Sequence, residues 1–431
     1  MASYGSGRRV AVVAGVRTPF ARAGTVLKPL SAIELGKLAV SELIQRTNLD
    51  GSEVDALTFG TVVPSVLAPN IAREVALLPM LPKGIEAYSI NRACASANQA
   101  ITSAADQIVL GHHDCAIAGG AESLSNVPIL HSRGFADALV EFSKAKSPAA
   151  KVKALAGIRP KDLVPVAPAI AEPSTGETMG ESAEKMAKIN GIPRDEQDQY
   201  ALRSHRLAAA GMHDGRLGEE MVAVYVPPSY TTAVTSDNGI RTDTSIEALS
   251  SLSPVFDRKY GTVTAGNSSP LTDGAAAVLL MNEDYARAAG YPPMGFIRSY
   301  AYAALDPGEQ LLQAPVLAAP VALDRAGLSL RDIDLVEMHE AFAAQVLSNL
   351  QGFESKQWAE RAGFTHPVGE VDRARLNVMG GSIAVGHPFG ATGARILTTL
   401  LNELGRRNGK FGLMTVCAAG GMGFAMVVER G

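Results

Sequence analysis

One of the three cysteines in this 431-residue sequence stands where a catalytic nucleophile is expected. Cys94 follows a short apolar run that ends near Ile90, and an alanine-rich stretch of helical composition begins directly after it. A cysteine at a helix N-terminus lies beside unpaired N–H groups and the positive end of the helix dipole, and both favour the nucleophilic thiolate. The same N–H groups can bind an oxyanion. The alternative is an inert buried cysteine, the commoner fate of this residue type.

A histidine between two glycine clusters is the candidate base for such a thiol. His387 lies in the stretch Met379-GGSIAVGHPFGATGARI, where Pro388 stiffens the turn before a predicted helix. An imidazole held on a tight turn suits proton transfer from a thiol. The alternative is a structural histidine with satisfied hydrogen bonds.

Two further residues end predicted strands, where α/β sheets place their ligand contacts. Cys417 ends the apolar run Phe411-GLMTV and precedes a glycine-rich loop, a position that suits a second thiol acting as acid and base. The alternative for Cys417 is a buried strand-end cysteine. His339 ends another predicted strand, in the stretch His339-EAFA. Cys115 lies within a predicted strand, so we expect it in the core.

Composition excludes several classes of protein. With 47% hydrophobic and 19% charged residues, the chain is too apolar for a disordered protein, and its net charge of −4 gives no basic footprint for nucleic acid. Three cysteines exclude a disulfide framework and fit a reducing compartment. We see no apolar leader and no apolar run of ~18 residues, so we expect a cytoplasmic protein. The sequence lacks metal-ligand spacings, GxGxxG with a downstream acid, and GxxxxGK[ST], so we expect no metal and no nucleotide cofactor.

The elements that must position these residues alternate between strands and helices. Arg9-VAVVAGV-Arg17 is a continuous apolar run typical of a strand buried on both faces. Ser31 and Glu34 form the pattern of a capping box before a helix with apolar residues at helical spacing. Repeated βα units predict an α/β fold with a mixed or parallel sheet.

An internal repeat predicts that the α/β core is duplicated. The stretch 46–60 resembles the stretch 325–339 at a constant offset of 279 residues. Identical pairs at this offset are Arg46/Arg325, Leu49/Leu328 and Asp55/Asp334. Each copy reads as a helix end, a turn and a strand. Chance similarity between two αβ turns is the alternative.

A basic segment separates the two predicted halves. Residues 131–162 contain seven Lys or Arg against three acids, in a chain that is acidic overall. Such a run is often only a solvated surface. The functional alternatives are a site for a phosphate-bearing ligand, an anionic membrane surface or a partner protein.

Four stretches together resemble the active-site segments of one family, the thiolases (3-oxoacyl-CoA thiolase, or acetyl-CoA acyltransferase). In chain order they are Asn91-RACAS, His339-EAFA, Gly386-HP and Cys417-AAGGMG, and Gly261-TVTAGNSSPLTDGAA resembles the coenzyme A loop of the family. The resemblance runs from Arg9 to Glu429. His339 replaces the usual asparagine, and with the basic segment and Thr175-GETMG this is most similar to the β-subunit of the fatty-acid-oxidation trifunctional complex.

The resemblance implies a thiolase-like duplicated five-layer α-β-α-β-α core with an inserted loop domain. Residues 1–125 with 251–285 would form the N-terminal half, and residues 286–431 the C-terminal half. Residues 126–250 would form the inserted domain, which binds coenzyme A and substrate and offers a partner or membrane contact.

Residue roles are also carried over from the resemblance. Cys94 would accept the acyl group, His387 would take its proton, and Cys417 would exchange a proton with the α-carbon of the acetyl unit. His339 and His387 would bind the enolate oxygen, and the N–H groups of Cys94 and Ala419 would form a second oxyanion hole. Position 419 is often glycine in the family. The residues implied to contact coenzyme A are Met179, Arg241, Ala265 and Ser269.

The implied reaction is cleavage of 3-oxoacyl-CoA by CoA through an acyl-cysteine intermediate in fatty-acid β-oxidation, with CoA as substrate and no cofactor. The implied partners are further copies of the chain, in a homodimer or homotetramer, and a hydratase/dehydrogenase α-subunit. Peripheral membrane contact is a further candidate.

The alternative functions are a biosynthetic thiolase that forms acetoacetyl-CoA and a non-catalytic CoA-binding scaffold subunit. A decarboxylating ketosynthase is disfavoured because Cys417 supplies a second thiol. A Cys94–His387 hydrolase leaves Cys417 unexplained.

Overall fold

A computed structural model describes residues 7–165 and 171–431 of the chain. The strands are β1 (Val10–Arg17), β2 (Ala21–Arg22), β3 (Ala56–Gly60), β4 (Glu86–Ile90), β5 (Cys115–Glu122), β6 (Val224–Tyr225), β7 (Ala233–Val234), β8 (Thr272–Asn282), β9 (Gly295–Ala304), β10 (Leu335–Met338), β11 (Phe411–Ala418) and β12 (Met422–Arg430). The helices are α1 (Ala32–Thr47), α2 (Ile71–Ala76), α3 (Ser96–Val109), α4 (Arg133–Lys144), α5 (Pro148–Leu155), α6 (Met179–Asn190), α7 (Arg194–His213), α8 (Ile246–Ser250), α9 (Glu283–Ala288), α10 (Pro315–Ala326), α11 (Ala343–Glu354), α12 (Lys356–Arg361), α13 (Ser382–Val385) and α14 (Thr392–Arg407).

The main sheet consists of two similar groups of strands. One group has the order β4-β3-β5-β8-β1, and the other has the order β10-β11-β12-β9. In both groups parallel pairs (β4/β3, β3/β5 and β10/β11) give way to antiparallel pairs. The two groups join where β1 meets β9 over only two residue pairs, Ala11–Phe296 and Val12–Gly295. The mixed α/β sheet predicted from the sequence is confirmed.

The internal repeat corresponds to a repeated structure. In each copy a helix ends with a left-handed residue, Asn48 after α1 and Gly327 after α10, and a short 3₁₀ turn leads into a parallel strand. The carboxylate of Asp55 accepts two backbone N–H groups where β5 begins, at 2.8 and 3.0 Å. Asp334 accepts the corresponding two where β11 begins, at 2.6 and 3.0 Å. The aspartates are therefore identical because each ties its strand to the next one.

Three buried cores between the sheets and helices explain a five-layer arrangement. Along β8, Val278 and Leu280 face a central core that also contains side chains of α3 and α14 and of β11 and β12. The alternate residues Leu279 and Met281 face an outer core with α1 and α2. On the other side, α10 and α11 cover the second group of strands. Because successive side chains of a strand point to opposite faces, the two sets of β8 residues lie in different cores. Helices α3 and α14 contribute to the central core, between the two groups of strands.

Strand β5 packs closely against its neighbours near the site. Gly119 and Gly120 continue the pairing of β5 with β8, so the strand extends to Glu122. Gly120 also packs against the main chain of Gly390, so a side chain there would collide with it. Cys115 is fully buried in β5, which confirms its prediction as core.

The segment between the halves has two unlike parts. Helices α4 and α5, which carry most of the basic run, have no buried residues. Helices α6 and α7 instead bury side chains such as Met186 and Tyr200 in the core of the second half. No helix in the described ranges is long and apolar enough to cross a membrane.

Candidate active site

Cys94 lies on a strained turn between β4 and α3. The residue before it, Ala93, has φ +45°, which is unusual for a residue with a side chain. Ser96 fixes this turn, because its hydroxyl accepts the N–H of Arg92 at 2.8 Å and donates to the carbonyl of Ala93 at 2.6 Å. Backbone strain of this kind persists only when its surroundings hold it, and it clusters at functional sites. The predicted position at the start of a helix is confirmed.

The thiol of Cys94 is protonated at rest, so the prediction of a thiolate favoured by the helix N-terminus is wrong for this state. Burial raises the pKa of Cys94 to about 12. The backbone N–H groups of Ala419 and of Cys94 itself act in the opposite direction and lower that pKa, but they do not outweigh the loss of solvent. Cys94 therefore needs a base at the moment of attack.

His387 has the geometry of that base. Its Nδ1 lies 2.7 Å from the hydroxyl of Thr392, and this hydroxyl donates its own hydrogen to the carbonyl of Pro388 at 3.2 Å. The oxygen of Thr392 must therefore accept from Nδ1–H, which leaves a lone pair on Nε2. Nε2 is buried and has no hydrogen-bond partner among the described residues. Burial and the nearby positive charge of Arg395 lower the pKa of His387 to about 3, so the ring is neutral.

Cys94 and the two histidines meet in one place. The sulfur of Cys94 and one ring nitrogen each of His339 and His387 lie within 4.8 Å of one another, and the ring centroids of the histidines are 4.2 Å apart. The Nδ1 atoms bond to hydroxyls of Ser382 and Thr392, so the nitrogens left for the site are the Nε2 atoms. One sulfur and two imidazoles are also ligands that Zn²⁺ prefers, and a soft metal ion entering the site would meet them.

His339 is as deeply buried as His387. Its Nδ1 lies 3.0 Å from the hydroxyl of Ser382, and its Nε2 has no partner in residues 7–165 and 171–431. Burial, together with the neighbouring His387 and Arg395, lowers the pKa of His339 well below its usual value. Both imidazoles are therefore neutral.

Cys417 lies at the end of β11 and is 1% exposed. Burial, and then the neighbouring Cys94, raise the pKa of the Cys417 thiol well above its usual value. In the loop that follows, the N–H of Ala419 is directed at the sulfur of Cys94. The next amide, of Gly420, donates to the carboxylate of Glu172 at 2.7 Å, which anchors the loop from the inserted segment.

Two buried carboxylates that the sequence analysis did not single out hold the segments in place. Glu340 follows His339 and accepts hydrogen bonds from both side chains and backbone, namely from Tyr200, Ser204, Asn377 and Ile383. Glu122 accepts the backbone N–H groups of Val62, Val63 and Gly390, so it ties the β3 loop to the turn after His387. An acid at the end of an apolar strand was the available signal for both. Ser382, Thr392 and Arg395 gave no such signal.

The predicted coenzyme A loop borders the site. Ser269 donates its N–H to the carbonyl of Ala341 at 2.9 Å, and His387 donates its N–H to the carbonyl of Pro270 at 3.3 Å. Met179 is the first residue of α6, whereas Arg241 and Ala265 are exposed. The roles of Met179, Arg241, Ala265 and Ser269 in binding coenzyme A remain predictions.

The chain is similar to known proteins along nearly its whole length. Residues 10–284 match the family model described as thiolase, N-terminal domain, and residues 291–430 match thiolase, C-terminal domain. The 3-ketoacyl-CoA thiolase of Pectobacterium atrosepticum is 52% identical over 424 residues, which is 98% of this chain and 97% of that protein. The 3-ketoacyl-CoA thiolase of Yersinia pestis is 50% identical with the same coverage. The crystal structure of the Bacillus anthracis acetyl-CoA acetyltransferase superposes with a TM-score of 0.84 at 32% identity, covering 98% of this chain and 99% of that one.

Proposed function

The chain belongs to the thiolase family, and on that premise we propose that it cleaves 3-oxoacyl-CoA with CoA, giving acetyl-CoA and a shortened acyl-CoA in fatty-acid β-oxidation. The observation that carries the proposal is the meeting of Cys94, His339 and His387 beside Cys417. Thiolases use CoA as a substrate and need no metal cofactor, and these four side chains supply the proton transfers of the reaction.

The first step forms a bond between Cys94 and the substrate. The thiol gives its proton to Nε2 of His387, and the sulfur bonds to the 3-oxo carbon. The carbonyl electrons move to oxygen, which the N–H groups of Cys94 and Ala419 bind. Donors aimed at such an oxyanion are worth roughly 10²–10³-fold in rate each.

The second step breaks the carbon–carbon bond. The adduct collapses, the bond between C2 and C3 breaks, and the acyl group stays on Cys94 as a thioester. Acetyl-CoA leaves as an enolate whose oxygen faces His339 and the protonated His387. Cys417 donates its proton to the α-carbon and then recovers one from His387, so both groups return to their neutral forms.

The third step releases the product. Free CoA gives its thiol proton to His387, and its sulfur attacks the thioester on Cys94. The departing thiolate of Cys94 then takes that proton back. One CoA enters, and one acetyl-CoA and one shortened acyl-CoA leave, with ping-pong kinetics. The reverse sequence condenses two acyl-CoA molecules, which is the alternative direction for a biosynthetic thiolase.

The uncovered helices α4 and α5 are the candidate docking surface for a hydratase/dehydrogenase α-subunit. Their apolar side chains Leu139, Val140 and Val152 are exposed beside several lysines. Charge reversal by glutamate should abolish association with that subunit when it is made at Lys144, Lys146, Lys151 and Lys153. Loss of vesicle binding instead would assign the surface to an anionic membrane, and no change in either would refute docking.

The domain boundaries and the oligomer remain part of this proposal. We assign residues 1–125 with 251–285 and residues 286–431 to the two halves, and residues 126–250 to the inserted domain. A homodimer or homotetramer is the expected assembly, because β4, which leads to Cys94, is an edge strand of the sheet within the described residues. The cytoplasm is the expected location from cysteine usage.

Steady-state assays test the proposal. Purified protein should consume 3-oxoacyl-CoA only when CoA is present and release equal amounts of acetyl-CoA and the shortened acyl-CoA. Cys94→Ala should lose this activity, whereas Cys115→Ala, which changes a core cysteine, should retain it. A folded protein that binds CoA but cleaves no 3-oxoacyl-CoA of any chain length would support the scaffold alternative.

A further inference from the structure

A buried chain of hydrogen bonds runs from α14 through α13 to His339. The guanidinium of Arg395 donates from Nη2 to the hydroxyl oxygen of Ser382 at 3.0 Å. The same oxygen lies 3.0 Å from Nδ1 of His339. Arg395, Ser382 and His339 are 2%, 0% and 1% exposed, so water does not compete for these bonds.

The direction of these bonds fixes the position of one proton. A guanidinium can only donate, so the oxygen of Ser382 accepts from Arg395. The hydroxyl hydrogen of Ser382 then has Nδ1 of His339 as its acceptor, the one acceptor recorded for it in the described part of the chain. Nδ1 therefore carries the lone pair, and the ring hydrogen of neutral His339 lies on Nε2.

His387 is held in the opposite tautomer. Thr392 accepts from its Nδ1–H, so its Nε2 carries a lone pair. The reversed tautomer of His339 would place a second lone pair in the same small space and leave the hydroxyl hydrogen of Ser382 without an acceptor. A buried donor without an acceptor has lost its hydrogen bonds to water and gained none in return, so the observed arrangement disfavours that tautomer.

We propose that Ser382 and Arg395 are positioning residues that hold His339 with its hydrogen on Nε2, so that this N–H donates to the enolate oxygen of the leaving acetyl-CoA while His387 remains the base. The proposal rests on the proposed function. It explains how two adjacent neutral imidazoles perform different tasks, because separate hydroxyls select a different tautomer for each.

Arg395 contributes a second effect. Burial is the main cause that lowers the pKa of both His339 and His387, and the positive charge of Arg395 lowers it further, so neither ring is protonated before Cys94 gives up its proton. The charge of Arg395 reaches His339 without occupying the site, because the hydroxyl of Ser382 lies between them.

A double-mutant cycle tests the proposal. His339→Asn replaces the imidazole with an amide that always has N–H groups to donate and has no tautomer to select. Ser382→Ala should lower kcat by about 10–100-fold when His339 is present, which is less than the roughly 10²–10³-fold of a removed oxyanion donor because the donor is misdirected and not removed. In the His339→Asn background, Ser382→Ala should lower kcat by no more than Ser348→Ala does. Ser348→Ala is the control because it removes a different buried hydroxyl, one that has no partner among the described residues.

The outcomes separate this proposal from the proposed function. An equal fall in kcat in both backgrounds would overturn the positioning role and leave thiolysis standing, whereas a wild type without thiolysis would overturn the function itself. Nitrogen-15 spectra of histidine-labelled wild-type protein give a check that needs no folded Ser382 variant. Signals assigned by their absence in His339→Asn should show hydrogen on Nε2, and hydrogen on Nδ1 would overturn the proposal.

Discussion

His339 and His387 lie with their ring centroids 4.2 Å apart, and each bonds through Nδ1 to the hydroxyl of a different helix. The Nε2 atoms of both rings are buried without partners among the described residues. The pKa of each ring lies below its usual value because burial disfavours the charged form. Two neutral imidazoles therefore share one site, and hydrogen-bond direction distinguishes the donor from the base.

The hydroxyl of Thr392 should matter for catalysis through His387. Thr392→Val removes the acceptor of Nδ1–H at nearly constant volume, so the ring is free to rotate or change tautomer. We expect the rate of Cys94 acylation to fall by about 10–100-fold, less than the roughly 10²–10⁴-fold contribution of a positioned base because the imidazole itself remains. Rapid-quench assays of the first turnover measure it. Thr398→Val is the matched control, since Thr398 lies on the same helix and donates only to the carbonyl of Ala394. Equal losses in the two variants would refute the role of Thr392.

The pH dependence of acylation should be flat across the neutral range. His387 works as a base only when deprotonated, and its pKa of about 3 keeps it so at every pH above about 5. Cys94, with a pKa of about 12, keeps its proton until strongly alkaline pH. We therefore expect a constant single-turnover rate from about pH 5.5 to 9 when CoA is omitted. A rate that falls in acid with a midpoint near 6.5 would mean that His387 titrates as an ordinary exposed imidazole.

The glycine before His387 should not tolerate a side chain. Gly386 has φ +111°, and a Cβ there would lie 2.5 Å from Cγ2 of Thr272. Gly386→Ala should therefore strain the backbone, displace His387, and lower both kcat and the melting temperature. Gly405→Ala is the control, because that position on α14 has open space around it. This substitution should raise the free energy of unfolding by about 0.4–1 kcal/mol. Normal kcat in Gly386→Ala would show that the turn adapts without moving the base.

Two buried ion pairs link the inserted segment to β1. Arg17 is fully buried and contacts Glu220 and Asp237, with nitrogen–oxygen distances of 2.7 Å to each. Arg17→Met leaves two carboxylates buried without their partner, and this should lower the free energy of unfolding by about 3–5 kcal/mol. Arg133→Met breaks an exposed pair with Asp137 and should change it by less than about 1 kcal/mol. Urea titration measures the free energy of unfolding of both variants. Similar small decreases in the two would mean that the inserted segment is not stabilised by Arg17.

Sequence patterns predicted the elements around the site well, and the roles of the reacting residues stay predictions. The strand before Cys94, the helix after it, the capping box of Ser31 and Glu34, and the duplicated Asp55 and Asp334 all appear as expected. These features depend on local periodicity or on residue type at an element's end, which a sequence displays directly.

Protonation states and supporting contacts were beyond such patterns. The thiolate predicted at Cys94 is wrong because burial raises the pKa of the thiol by more than the N–H groups of Cys94 and Ala419 lower it. The residues that orient His387 and His339 are of common types and belong to no recognisable motif. Only the fold brings Arg395 and Ser382 to His339. The sequence offered no means to assign a tautomer.

The most direct measurement is the intact mass of the protein after brief exposure to a 3-oxoacyl-CoA without free CoA. Wild type and Cys115→Ala should each gain one acyl group, and the gain should vanish when CoA is added. Cys94→Ala should gain none. An acyl group that persists in Cys94→Ala, or a wild type that stays unmodified with substrates of every chain length, would contradict Cys94 as the nucleophile of a thiolase.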